Sequence, residues 1–145
     1  MKNIRVSACL LGTPCRYDGK SKPCEGVIAL GKKYTLIPVC PEVDGGLPIP
    51  RTPSERVGER VIMRDGRDVT ANYKSGAYHA LDLCKRHGIE IAILKERSPS
   101  CGKGKIYDGT FSGVLTERDG VCAELLIQNG ISVLGESEVF ETDEW

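Results

Sequence analysis

The chain reads as an α/β protein: a small, mostly parallel sheet flanked by helices, a Rossmann-like layer, with one short β-hairpin. Three observations predict it. Short runs rich in β-branched residues recur along the 145 residues, they are nearly continuously apolar, and two of the intervals between them carry amphipathic helical spacing. Strands buried on both faces have that composition, and helices between them are the crossovers that parallel pairing requires.

"NIRVSAC" (3–9) reads as the first buried strand and "YTLIPVC" (34–40) as the second, each ending in a cysteine followed by loop residues. In "RVIMRDGRDVT" (60–70), Asp65-Gly66 separates two short strand-like pieces, the composition of a tight hairpin turn. Thr70 reads as the N-cap of a helix with Tyr73, Ala77, Leu81 and Cys84 on one face, stopped by Gly88. "IEIAILK" (89–95) is the next strand, "GVCAELLIQNG" (120–130) a second amphipathic helix stopped by Gly130, and "ISVLG" (131–135) the last strand. No internal repeat, low-complexity tract or linker interrupts the pattern, and the length suits one compact domain over 1–145.

Twenty basic residues balance twenty acidic ones, so net charge gives no reason to expect a nucleic acid or an anionic membrane as main partner. "MKNIRVSACLLG" is too short and too broken in its apolar stretch for a signal peptide. No run reaches the roughly 20 apolar residues that span a bilayer, and the expected location is the cytoplasm. Seven cysteines is a high and odd count, which in a reducing compartment points to metal binding or catalysis before disulfides.

Position sorts those cysteines. Cys84 and Cys122 sit on the apolar faces of the two predicted helices, where a thiol packs as a small hydrophobe. Cys15 and Cys24, in "GTPCRYDGKSKPCEG", could be a labile pair, alternative ligands or plain loop residues. Cys9 and Cys40 end the first two strands, and Cys101 lies in "ERSPSCGKGKIYDG" (96–109), between a serine and a glycine just past a buried strand. Ligands of parallel sheets bind beyond the carboxyl ends of the strands. If these strands are parallel neighbours, three thiols spaced 31 and 61 residues apart converge at one rim. Three thiolates without histidine suit a soft metal centre, zinc or iron–sulfur. Structural zinc takes four closed ligands, commonly from Cys-x-x-Cys pairs, and this chain has none. Single, widely separated cysteines fit a cubane better, and three of them leave one iron without a protein ligand.

In "CPEVDGGLPIPRTPSE" (40–55), Glu42 is either a proton carrier beside a metal or a solvated loop acid. Gly45-Gly46 permits positive φ or close approach of backbone to a ligand, and Pro48, Pro50 and Pro53 stiffen the segment. Ser98 and Ser100, either side of Pro99, could cap a turn or donate a hydrogen bond into the site. Arg51 and Arg56 could hold an anion or form ordinary ion pairs. Asp68 and Thr70 belong to turn and cap structure, and "GKGK" (102–105) lacks the spacing of a P-loop.

Taken in order, "ACLLGTPCRYDG", "CPEVDGGLPIPRTPSE", "GRDVT" and "SPSCGKGKIYDGTFSGV" resemble the TudS-type thiouracil desulfidase family over essentially the whole chain; the short acidic end "FETDEW" is the one departure. The resemblance implies a small α/β fold carrying a [4Fe-4S] cluster on only three cysteines, which by motif are Cys9, Cys40 and Cys101, with Glu42 and Ser100 as the catalytic pair. It also implies a small thiolated pyrimidine such as 2-thiouracil as substrate, and conversion of C=S to C=O with release of sulfide. That conversion needs no net electron transfer and no redox partner. Two other classes compete: a zinc-binding structural or interaction module, and a metal-free thiol enzyme with Cys101 as nucleophile. The second is disfavoured by histidine placement, since His79 and His87 fall on a predicted helix and not in a motif loop.

Overall fold

The structure, a computed structural model, describes residues 2–141. Residues 142–145, the end of the acidic segment, lie outside the described residues. Along the chain run β1 (Asn3–Ser7), α1 (Glu25–Ile28), β2 (Thr35–Val39), α2 (Pro41–Asp44), β3 (Ser54–Val57) and β4 (Arg60–Met63). There follow α3 (Thr70–Arg86), β5 (Ile91–Leu94), β6 (Lys105–Tyr107), β7 (Leu115–Glu117), α4 (Val121–Gln128) and β8 (Ser132–Gly135).

Four strands form the expected parallel sheet in the order β2-β1-β5-β8, with Val6 opposite Pro38 on one side and Ile93 on the other. Side chains alternate across it. Ile4, Val6, Ile91 and Ile93 enter a core with Leu10, Val27 and Val139, while Ala92, Leu94 and Val133 meet Ala80, Leu81 and Leu126 of α3 and α4. Both faces are therefore covered, which is why the strands read as nearly continuous apolar runs. The chain leaves β1 for β2 on one side and returns to β5 on the other. A sheet opens a crevice at such a reversal of strand order, here between the ends of β1 and β5.

The strands are shorter than their apolar runs because each run ends in a structured turn. After β1 the chain closes a 3-10 turn over Ala8–Leu11, so Cys9 lies in that turn and not in the strand. The hairpin also stands elsewhere than expected. It joins β3 to β4 through Gly58 at φ +61, whereas Asp65-Gly66 makes a turn whose return leg pairs only at Asp68, opposite Ile62. The leg goes no further because α3 already begins at Thr70; the Asp68 carboxylate braces the junction, its Oδ1 accepting the Thr70 N–H at 2.9 Å and its Oδ2 accepting Arg60 Nη2 at 2.6 Å. Thr70 is the first helical residue of α3 and not its cap, with its Oγ1 accepting the Val61 N–H at 2.9 Å. Tyr73, Ala77, Leu81 and Cys84 are all buried on α3 as the spacing predicts, and Gly88 follows at φ +61. A second hairpin, β6 with β7, was not legible; its turn carries Gly109 and Gly113 at positive φ.

Candidate active site

Each expected ligand cysteine sits in a turn just beyond a strand, and each turn is fixed by a different device. Cys9 is held in its 3-10 turn by backbone alone: its carbonyl accepts the Gly12 N–H at 3.2 Å and the Lys22 N–H at 3.0 Å. Cys40 is the residue before α2, whose Pro41 opens the helix where no N–H partner is needed. Helix α2 is pressed against α3. A Cβ on Gly76 would stand 1.8 Å from the Pro41 carbonyl oxygen, and one on Gly45 would stand 2.0 Å from that of Asn72. The close approach expected at Gly45 is thus to helix backbone and not to a ligand, while Gly46 does take positive φ, +95.

Cys101 is held by serine and by a helix. The Ser98 hydroxyl accepts the N–H groups of Ser100 and Cys101, each at 3.1 Å. The carbonyls of Pro99 and Ser100 accept the first N–H groups of α4, from Val121 at 2.9 Å and Cys122 at 2.8 Å. The loop therefore caps α4 in place of a side chain, and the helix fixes the loop in return.

Cys9, Cys40, Cys101 and Glu42 line one cavity of about 730 Å³, together with Cys15, Arg51 and Tyr73. Four of the five sequence-predicted site residues are brought together there. The fifth, Ser100, does not line the cavity: it is fully buried, and its hydroxyl makes no hydrogen bond of normal geometry among the described residues. It does lie beside the Cys101 thiol and favours its anionic form, as does the Ser7 hydroxyl. Burial outweighs both and pushes the Cys101 thiol up to about 12. Hydrogen bonding to Cys15 and then burial raise the Cys40 thiol as well, and Cys40 Sγ lies 3.8 Å from the Cys15 carbonyl oxygen. Such thiols stay protonated until a metal displaces the proton.

Glu42 is not a solvated loop acid. Its Oε1 accepts the Tyr73 hydroxyl at 2.7 Å and Arg51 Nε at 3.3 Å, and its side chain is 16% exposed. Arg51 also donates to the carbonyls of Pro48 at 3.2 Å and Cys15 at 3.0 Å, so it ties three segments of the wall together. Arg56 lies elsewhere, buried and paired with Glu124 at 2.7 Å. Cys84 and Cys122 pack in the helix-side core, Cys24 stands outside the cavity wall, and His79 and His87 are exposed on and just after α3. Sequence reasoning left Cys15 undecided and read Tyr73 only as a packing residue. Its spacing gives its helix face, but the target of its hydroxyl depends on how α2 crosses α3.

The donor set fits a thiolate-bound cluster. Three separate loops bring Cys9, Cys40 and Cys101 to a shared cavity, the first of them bringing Cys15 as well, and the fully buried Ser100 hydroxyl stands beside the Cys101 sulfur. Among the described residues no three of His, Cys, Asp or Glu are grouped as they would be around a single metal ion.

Known proteins are similar to this chain in sequence and fold. The solved structure of a [4Fe-4S]-dependent thiouracil desulfidase, TudS, is 50% identical and superposes with a TM-score of 0.92 over 97% of this chain and 95% of its own. The uncharacterized protein YbbK of Bacillus subtilis (strain 168) is 40% identical over 146 residues, covering 94% of this chain and 97% of that one. The family model for 2-thiouracil desulfurase matches residues 4–138, and with this likeness running through the sheet, the three cysteine turns and the wall around Glu42, the chain belongs to that family.

Proposed function

We propose that this protein is a desulfidase that removes sulfur from a thiolated pyrimidine, 2-thiouracil or a related free base, at a [4Fe-4S] cluster held by Cys9, Cys40 and Cys101. The observation that carries the reading is the shared cavity: three cysteines from three strand ends, with a carboxylate held between two donors on the same wall. When bound on three cysteines, such a cluster supplies a soft Lewis-acidic iron to which a thiocarbonyl sulfur is better matched than water.

The chain's own residues have the remaining tasks. The cavity, at about 730 Å³, admits a planar base together with a water. Glu42 takes the proton from water as it adds to the C=S carbon, and the resulting collapse forms C=O, breaks the C–S bond and leaves sulfide. Atoms balance as thiobase plus water giving oxo base plus hydrogen sulfide, with no electron gained or lost. Ser100 does not line the cavity, so its hydroxyl acts at one remove: it stands beside the Cys101 sulfur and supports negative charge there.

The test is anaerobic purification and reconstitution, followed by assay with 2-thiouracil, 4-thiouracil and a thiouridine. Brown protein with iron and acid-labile sulfide that converts a thiobase to its oxo form is expected. Colourless protein with stoichiometric zinc, or metal-free protein whose Cys101 alone is alkylated by substrate, would refute it.

A further inference from the structure

We infer that Tyr73 and Arg51 are positioning residues for this reaction: both donate to Oε1 of Glu42 and so present Oε2 as the oxygen free to take the proton. The inference rests on the function just proposed and adds which oxygen reacts and what orients it.

A carboxylate has two equivalent oxygens and a freely rotating stem, so a loop glutamate has no preferred reacting atom. Here the equivalence is broken. The Tyr73 hydroxyl reaches Oε1 at 2.7 Å and Arg51 Nε reaches the same oxygen at 3.3 Å, while no hydrogen bond to Oε2 occurs among the described residues. Both donors are rigid. Tyr73 is 1% exposed in the first turn of α3, with Ser54 beside its phenol oxygen. The Arg51 side chain is 3% exposed and is further pinned by the carbonyls of Pro48 and Cys15. A planar guanidinium held at three points cannot follow a rotating carboxylate. The result is a preorganised base, whose rotamer is fixed before substrate arrives. A buried phenol needs some hydrogen-bond partner, and any acceptor on α2 would satisfy it. That the partner is Glu42, the acid of α2 that lines the cavity, and that it is shared with an arginine, gives the contact its functional meaning.

Tyr73→Phe separates the two accounts, because it removes one hydroxyl and leaves the packing. It should be made alone and in the Glu42→Gln background, in anaerobically reconstituted protein, with kcat and KM on the best thiobase, iron per chain and thermal midpoint measured for each. A base set loose by about an ångström loses on the order of 10- to 100-fold in rate, so kcat should fall by about that much. KM should stay within about twofold and iron should be unchanged, since neither binding nor ligation is touched. In the Glu42→Gln protein, Tyr73→Phe should lower kcat no further, which a merely structural tyrosine would not show. Arg51→Lys, which keeps the charge but not the fork, should give a smaller loss that is likewise absent in the Glu42→Gln background. Wild-type kcat in Tyr73→Phe, an equal fractional loss in both backgrounds, or loss of iron in Tyr73→Phe would overturn the inference while leaving the proposed function standing. Full activity in Glu42→Gln would remove Glu42 as the base and this inference with it while leaving the desulfidase reading standing, and an inactive reconstituted wild type would remove the proposed function itself.

Discussion

Arg5 sits in the middle of β1, between Ile37 and Ala92 of the neighbouring strands, and is only 2% exposed. Its Nε has no hydrogen-bond partner among the described residues, and burial pulls its pKa down, offset most by Cys84 and then by Asp44. A buried, unsatisfied donor on a charged group costs about 1–3 kcal/mol or more. Arg5→Met, similar in length and wholly apolar, should therefore raise the denaturant midpoint by the equivalent of about 1–3 kcal/mol with the slope unchanged; a lowered midpoint would show that Arg5 has a partner that matters. The cysteines divide by the same logic of surroundings. Cys9→Ala, Cys40→Ala and Cys101→Ala should each abolish iron binding after reconstitution. Cys84→Ala and Cys122→Ala should keep iron and lose roughly 1–3 kcal/mol, as small buried side chains do. Iron retained in any of the first three, or lost only in Cys15→Ala, would reassign the ligands. The sequence could sort five of the seven thiols by helix face or strand end, but not Cys15 and Cys24, because a loop of prolines and glycines carries no periodicity to say which way a residue points.

The pairing of α2 with α3 is where an element positions the site. Helix α3 was legible from Tyr73, Ala77, Leu81 and Cys84, since its 17 residues give the 3.6-residue period time to declare itself. Helix α2 has only four residues, too few for any period, and its presence follows from Pro41 at its start. Nothing local in the sequence marks Gly76, yet it is the position where the two backbones nearly touch. Gly76→Ala would place a methyl carbon 1.8 Å from the Pro41 carbonyl oxygen, against backbone that cannot rotate aside. Helix α2 would have to move, carrying Cys40 and Glu42 with it. The expected outcome is a loss of about 1–3 kcal/mol or more in denaturant melts despite alanine's better helix propensity, with less iron retained per chain. Ser75→Ala, one residue away and exposed, should change stability by no more than about 0.5 kcal/mol. Unchanged stability and iron in Gly76→Ala would mean that α2 is not braced by α3.

At the scale of the whole molecule, the carboxyl edge of the sheet draws distant parts of the chain to one place, and this was legible only conditionally. Nearly continuous apolar runs gave the strands and their burial, but not the order β2-β1-β5-β8, because which strand lies beside which depends on packing between layers that no local pattern records. The hairpin β6–β7 escaped for a related reason: its strands are three residues each, too short for alternation to stand out. No described helix is long and apolar enough to cross a membrane. The order, once known, has a mechanical consequence. The 3-10 turn at Ala8–Leu11, helix α2 and the Ser98–Gly102 turn hang from β1, β2 and β5, and the turns over Ala8–Leu11 and Ser98–Gly102 share no backbone hydrogen bond with each other. A group bound through Cys9, Cys40 and Cys101 would tie all three, and anything that binds only the folded state stabilises it. Hydrogen exchange on apo and reconstituted protein should therefore show protection rising together in these three separated segments, with little change in the C-terminal half of α3, which points away from the cavity. A rise confined to one segment would mean that one loop alone holds the group, and a uniform rise along α3 would mean that the gain is global stability and not a cross-brace at the sheet's edge.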